Sequence, residues 1–145
     1  MESLKIAIGS DHGGFRLKEK IIEYLRGLNL EFKDFGTFDE ESCNYPVEAK
    51  KVATEVAEGN FNRGILVCGT GIGMSIVANK VKGVRAALCS DTFSAKASRG
   101  HNDANVLCLG QRVIGDGLAL DIVDVWLKAE FEGGRHKIRV DMIEG

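Results

Sequence analysis

The 145-residue chain is 44% hydrophobic and 28% charged and carries a formal net charge of −2, the composition of an ordinary globular protein. Such a length buries an apolar core without needing disulfides or structural metals. Domains that bind nucleic acid or anionic membranes are normally basic, so both partner classes are disfavoured. With no run of 18 apolar residues and no signal-peptide pattern, we expect a cytoplasmic protein.

Short apolar runs alternate with helical patterns along the whole chain. Strands are predicted at residues 5–9, 30–35, 64–68, 84–89 and 106–109, the second with the partial alternation of an edge strand. Helices are predicted over 15–28, from Pro46 onward, from 71–73 onward, over 92–99 and over 116–129. Five β–α units without linker or repeat predict an α/β fold with a five-stranded parallel sheet. We expect one domain over 1–145, ending in a short charged helical tail at about 134–143.

Unusual polar residues come directly after the predicted strands. Asp11 and His12 follow the first strand, Cys68 ends the third, and Arg112 follows the fifth. In open parallel sheets, ligands bind beyond the carboxyl ends of the strands. The sequence therefore predicts a site at that edge of the sheet.

The segment CGTGIG at residues 68–73 is the most informative part of the chain. It is not a Walker A loop, and its third glycine comes one residue too early for a dinucleotide fingerprint. It is compatible with a tight strand-to-helix turn or with a cradle of backbone N–H groups for an anion or oxyanion. Cys68 opens onto a helix start, which favours a thiolate base or nucleophile, whereas Cys89 and Cys108 are predicted to be structural.

Four further polar positions each have two interpretations. Asp11 either caps the first helix or takes part in a site at the sheet edge. His101 either covers a carbonyl in a turn or acts as a general acid/base from a loop. Arg135 and Arg139, four residues apart, form either a phosphate clamp on one helix face or a solvated tail.

The cysteines and histidines show no metal-binding spacing, so we expect neither a metal nor a cofactor. Arginines, a backbone cradle, a thiol and a histidine suit proton transfer beside a carbonyl in a small phosphorylated metabolite. Aldose–ketose isomerisation needs these parts: a base moves a proton between two carbons while donors hold the enediolate oxygen.

Several separated motifs together resemble one family. They are SDHGGF at 10–15, NYP at 44–46, CGTGIGMSIVANK at 68–80, SRGHND at 98–103, GQRV at 110–113 and EGGRHKIRV at 132–140. They resemble the sugar-phosphate isomerase family that includes ribose-5-phosphate isomerase B and the galactose-6-phosphate and allose-6-phosphate isomerases. The resemblance implies a Rossmann-like three-layer αβα sandwich that interconverts ribose 5-phosphate and ribulose 5-phosphate without a metal. It also implies a homodimer, sometimes paired into tetramers, with active sites at the dimer interface.

The same resemblance implies roles for individual residues. Cys68 would be the base that shuttles the proton, and His101 would assist ring opening with Asp11 and Thr70 as partners. Some family members use a loop carboxylate instead of the cysteine, but no acid follows Gly73 here. The residues expected to bind substrate are Asp11, His12, Tyr45, Gly69, Thr70, Gly71, Ile72, Gly73, Ser75, Asn102, Arg112, Arg135 and Arg139.

Two alternative functions stay open. Within the enzyme class, the substrate could be a six-carbon sugar phosphate such as allose 6-phosphate or galactose 6-phosphate. From another class, the chain could be a phosphate- or nucleotide-binding regulatory module. Such a module would need the glycine loop and the arginines but neither Cys68 nor His101.

Overall fold

The computed structural model describes residues 3–145 of the chain. A 3-10 turn at His12–Gly14 separates the first strand from the first helix. The elements are β1 (Lys5–Ser10), α1 (Phe15–Gly27), β2 (Glu31–Asp34), α2 (Tyr45–Ala57), β3 (Arg63–Cys68), α3 (Ile72–Ala78), β4 (Ala86–Leu88), α4 (Thr92–Gly100), β5 (Val106–Gly110), α5 (Asp116–Lys128) and α6 (Arg135–Glu144). Within residues 3–145, none of the helices has the length and apolarity to cross a bilayer.

The sheet is parallel throughout, in the order β2-β1-β3-β5-β4, which confirms the predicted α/β fold. From β1 the chain first builds β2 on one side, and it then returns to place β3 on the other side of β1. This reversal leaves a crevice beyond the carboxyl ends of β1 and β3, where ligands bind in open α/β sheets. Asp11 and Cys68 lie at those two strand ends.

Alternating strand residues divide the core between the two faces of the sheet. On one face, Ile6 belongs to a buried cluster with Trp126 of α5 and side chains of α1 and α4. On the other, Cys68 belongs to a second cluster with Val52 of α2 and Met74 of α3. Each large apolar side chain buried this way contributes about 1.5–3 kcal/mol, so helices on both faces hold the strand ends in place.

The two edge strands are shorter than predicted. Instead of 84–89, β4 spans only Ala86–Leu88. Its start is delayed because the backbone N–H of Arg85 donates to the side-chain oxygen of Asn105 at 2.7 Å. At the other side of the sheet, β2 covers Glu31–Asp34 with alternating exposed and half-buried residues, the pattern expected of an edge strand.

Candidate active site

The loop after β3 closes around the sulfur of Cys68. The backbone N–H of Gly71 donates to Cys68 Sγ at 3.0 Å, and the N–H of Ile72 donates to Thr70 Oγ1 at 3.2 Å. Gly71 has φ +81°, and a Cβ there would lie 2.5 Å from the Leu88 side chain. A glycine is therefore needed for the turn that aims this N–H at the sulfur. A donor in this position stabilises negative charge on the thiol.

The loop after β1 packs directly against residues 69–73, the glycine loop whose N–H groups form the predicted cradle. The Asp11 carboxylate accepts a hydrogen bond from the Gly14 N–H at 3.1 Å, so Asp11 caps the 3-10 turn. A Cβ on Gly13 would lie 3.3 Å from the Gly69 nitrogen, which measures how closely the two loops approach. Asp11 therefore caps this turn and not α1 itself, whose N-cap is Gly14, and its carboxylate lies close to the point where the two loops meet.

His12 is exposed beside this contact, and its orientation is set by the backbone. The N–H of Cys43 donates to His12 Nδ1 at 3.2 Å. With Nδ1 acting as acceptor, the neutral ring carries its proton on Nε2. His12 is therefore prepared to donate a hydrogen bond to a phosphate or sugar oxygen.

Two further predicted residues line the same loop. A Cβ on Gly73 would lie 2.5 Å from the ring of Tyr45, so this half-exposed ring rests against the start of α3. The Arg112 N–H donates to the Gly69 carbonyl at 3.0 Å, and a Cβ on Gly69 would lie 3.5 Å from Arg112 Cδ. The guanidinium of Arg112 is exposed beside the cradle. Ser75 donates its hydroxyl hydrogen to the Ile72 carbonyl at 2.8 Å within α3.

The buried thiols are in different surroundings. Burial raises the pKa of both Cys89 and Cys108, so these side chains stay protonated. Cys68 is 6% exposed, but its sulfur ends a strand and receives a backbone N–H. Among the three buried thiols, Cys68 is therefore the one whose sulfur receives a backbone N–H of the glycine loop.

Within one chain, His101 and Asn102 lie at the end of the sheet opposite to Cys68, where the amino ends of the strands lie. We call this end the amino edge and the end that holds Cys68 the carboxyl edge. Helix α4 runs back along the sheet and ends at Gly100, directly before His101. Shortly after it, the Asn105 carbonyl accepts a hydrogen bond from the N–H of Gly64 at 2.8 Å, near the start of β3. Cys68 stands four residues further along β3, about 13 Å away at the rise of an extended strand. A single chain does not bring His101 to the Cys68 sulfur.

At that amino edge, two histidine rings stack in parallel. The centroids of His101 and His136 are 4.3 Å apart, with 6° between the ring planes. Glu132 approaches His101 Nε2 at 3.5 Å and His136 Nε2 at 3.6 Å through its two oxygens. Burial, together with the neighbouring His101 and Arg135 charges, lowers the pKa of His136. We call His101, Glu132 and His136 the histidine cluster.

The arginine pair also lies at this edge. Arg135 begins α6 immediately before His136, and Arg139 follows one turn later; both side chains are exposed. The predicted site thus separates into two groups in one chain. Around the cradle are Asp11, His12, Tyr45, Cys68, Gly69, Thr70, Gly71, Ile72, Gly73, Ser75 and Arg112, and at the amino edge are His101, Asn102, Arg135 and Arg139.

Sequence reasoning missed Cys43 and two members of the histidine cluster. Glu132 and His136 are spaced i, i+4, which is a signal for neighbouring side chains, but His101 is distant in sequence and joins them only in the fold. One ligand atom from each of His101, Glu132 and His136 lies within 4.8 Å of the others, close enough for these side chains to hold a metal ion. A search by linear metal spacing does not find such a set.

Comparison with known proteins assigns the family. A family model described as Ribose/Galactose Isomerase matches residues 6–143. The chain is 52% identical over 139 residues to ribose-5-phosphate isomerase B of Escherichia coli, covering 96% of this chain and 93% of that one. It is 49% identical to the D-erythrulose-4-phosphate isomerase of Pectobacterium atrosepticum, covering 97% and 93%.

Structural comparison leads to the same family. The structure of Clostridium thermocellum ribose-5-phosphate isomerase B superimposes with a TM-score of 0.96 at 57% identity, covering 97% of this chain and 95% of that one. The sequence matches extend over nearly the full length of both partners. The chain therefore belongs to the ribose/galactose isomerase family.

Proposed function

We propose that the protein interconverts ribose 5-phosphate and ribulose 5-phosphate, with Cys68 as the base. The observation that carries this proposal is the backbone N–H of Gly71 aimed at Cys68 Sγ at 3.0 Å, at the crevice beyond β1 and β3. Similarity to the Escherichia coli and Clostridium thermocellum enzymes supports this choice of substrate.

The chemistry needs no external oxidant because hydrogen moves only within the sugar. The Cys68 thiolate removes the proton from C2 of the open-chain aldose, and the electron pair of that bond forms a C1–C2 double bond. The carbonyl oxygen on C1 then carries negative charge, which the N–H groups of residues 69–73 stabilise. Return of the proton from sulfur to C1, with the O2 proton passing to O1, gives the ketose.

Anchoring of the phosphate accounts for the exposed cations. His12 and Arg112 lie beside the cradle, and both present donors that suit phosphate oxygens. Arg135 and Arg139 offer two more guanidinium groups at the other edge of the chain. All four side chains are exposed and therefore accessible to a substrate.

We infer that a second copy of the chain supplies the amino-edge residues to the cradle. His101 would then open the sugar ring, with Asp11 and Thr70 assisting, while Asn102 binds a hydroxyl and the second copy's Arg135 and Arg139 complete the phosphate site. Exposed apolar side chains support such a homodimer: Ile72 and Ile76 on α3 are 52% and 57% exposed, and Phe93 is 81% exposed. Pairing of two dimers would give a tetramer.

Turnover of competing substrates tests the proposed function. We expect ribose 5-phosphate to give the highest kcat/KM, unchanged by a chelator, when compared with allose 6-phosphate, galactose 6-phosphate and D-erythrulose 4-phosphate. The four-carbon sugar is included because of the Pectobacterium atrosepticum relative. Faster turnover of another sugar would reassign the substrate, and sugar-phosphate binding without any turnover would indicate a regulatory module instead.

A further inference from the structure

We propose that the histidine cluster is a binding site for a divalent transition-metal ion such as Zn²⁺. Its donor set is two imidazole nitrogens and one carboxylate, which zinc accepts as three protein ligands with a fourth position left for water. Each residue offers one ligand atom, and these atoms all lie within 4.8 Å of one another. Nothing in the proposed isomerisation uses a metal here.

The distances are close to those of a tetrahedral site. With Zn–N and Zn–O bonds of about 2.0–2.1 Å, neighbouring ligand atoms of a tetrahedron stand about 3.3 Å apart. The Glu132 oxygens lie 3.5 Å from His101 Nε2 and 3.6 Å from His136 Nε2. Because the two rings are stacked with only 6° between their planes, the exposed His101 ring must tilt out of the stack before both nitrogens point at one ion.

His136 provides an independent reason to expect a ligand. Among the residues described, its Nε2 is a buried polar atom without a hydrogen-bond partner, and the residue is only 8% exposed. The nearest carboxylate oxygen, at 3.6 Å, is beyond hydrogen-bonding distance. Leaving a buried imidazole nitrogen unsatisfied is unfavourable, and a bound ion would satisfy it.

The cluster is also open to solvent on one side. The side chains of His101 and Glu132 are 48% and 58% exposed. A cavity of about 260 Å³ lies against them, lined also by Phe93 and Lys96. An ion can therefore reach the His101 and Glu132 side chains from the surface, and His136 Nε2 lies 3.6 Å from the Glu132 carboxylate.

The consequence for activity rests on the proposed role of His101. A metal-bound imidazole nitrogen cannot exchange a proton with the sugar. Zn²⁺ would therefore inhibit the isomerase reversibly, by blocking ring opening rather than proton transfer at Cys68. A chelator would restore the activity.

Co²⁺ is the probe for the site because its visible absorption reports the ligands. We expect one Co²⁺ per chain in a tetrahedral-type spectrum without thiolate charge-transfer bands, displaced by Zn²⁺. Loss of even an outer-shell partner costs about 10–100-fold in metal affinity, so His136→Gln and Glu132→Gln should each cost at least about a hundredfold. Glu132→Gln changes an exposed residue, so it tests the same site even if the substitution of the buried His136 prevents folding.

Matched variants exclude other metal ligands. Asp141→Asn removes an exposed α6 carboxylate that pairs with Lys137 outside the cluster, and Cys68→Ala removes the thiol of the cradle. Both should keep the cobalt spectrum. Absence of binding to the unaltered protein, or binding that survives both Glu132→Gln and His136→Gln, would overturn the site.

Inhibition is measured separately from binding. Zn²⁺ should lower turnover of ribose 5-phosphate in the unaltered enzyme at the concentration that displaces Co²⁺. Glu132→Gln, measured against its own metal-free rate, should need about a hundredfold more. Cobalt binding without inhibition would leave the metal site standing and contradict the role of His101 in the proposed function.

Discussion

The two edges of the parallel sheet hold their polar groups in different ways. At the carboxyl edge, backbone bonds fix the loops: the Gly71 N–H reaches Cys68 Sγ, and the Arg112 N–H reaches the Gly69 carbonyl. At the amino edge, side chains meet through stacking and ion pairing: the exposed His101 stacks on the buried His136 and pairs with Glu132. The carboxyl edge thus offers fixed backbone N–H donors to a negative charge. The amino edge presents cationic side chains and groups that can transfer protons.

In the proposed reaction, this difference gives a reason for sharing the site between two copies of the chain. Donors preorganised by the backbone stabilise a developing oxyanion without reorganisation, which suits the step at carbon. The roles proposed for His101 and Arg135, ring opening and phosphate anchoring, are compatible with exposed side chains. Because the two groups lie on opposite edges, a second copy is the simplest means of joining them.

The largest effect is expected from Cys68→Ala. Loss of a general base costs about 10²–10⁴-fold in kcat, while the exposed cations proposed to bind the phosphate are untouched. Steady-state kinetics together with calorimetric titration of ribose 5-phosphate separates the two quantities. The control is Cys89→Ala, which removes a buried thiol from the core cluster on the other face of the sheet and should keep kcat. Equal turnover in both variants would refute the base assignment.

A smaller effect, on binding, is expected from Arg112→Ala. A charged hydrogen bond contributes about 1.5–3 kcal/mol, so KM should rise roughly tenfold to a hundredfold with kcat little changed. Arg26→Ala is the control, because Arg26 is exposed on α1 and stacks on Phe32. A loss confined to kcat would contradict a phosphate contact.

Packing of the cradle can be disturbed with a single methyl group. Gly73→Ala would place Cβ 2.5 Å from the Tyr45 ring, and such overpacking costs about 1–3 kcal/mol. We expect kcat/KM to fall about tenfold, with partial recovery in the double variant that also carries Tyr45→Ala. Gly27→Ala, where a Cβ meets nothing within 4 Å, should leave kinetics unchanged. A fully active Gly73→Ala enzyme would show that the ring position is irrelevant.

The smallest effect on activity is expected from Tyr24, which belongs to neither group of predicted site residues. Burial and a hydrogen bond to Asp124 raise the pKa of Tyr24 to about 12 from an ordinary value of 10. Since the folded pKa is the higher one, this stabilisation is complete below pH 10 and is lost as the pH rises towards 12. In denaturant titrations, Tyr24→Phe should cost about 1 kcal/mol near pH 7 and flatten the alkaline decline. Unchanged alkaline behaviour would argue against this contact.

The strand end, tight turn and helix start around Cys68 were predictable from sequence because their determinants are local. Strand ends, the spacing of the glycines and the polar residues that follow each strand are all encoded within a few positions of Cys68. The placement of His101 at the amino edge could also have been predicted, since a helix that follows a parallel strand ends at the opposite end of the sheet. The contact of His101 with Glu132 and His136 was not, because it depends on how an irregular segment returns α6 to the end of α4.

Subunit complementation tests the central claim most directly. Cys68→Ala and His101→Asn chains, each nearly inactive alone, are unfolded together and refolded as a mixture. If the two edges meet across a symmetric dimer, half of the dimers are mixed and each has one intact site, restoring about a quarter of the unaltered activity. A mixture of Cys68→Ala with Cys68→Ser should show no recovery. Mixed dimers isolated by a tag and still inactive would contradict the shared site.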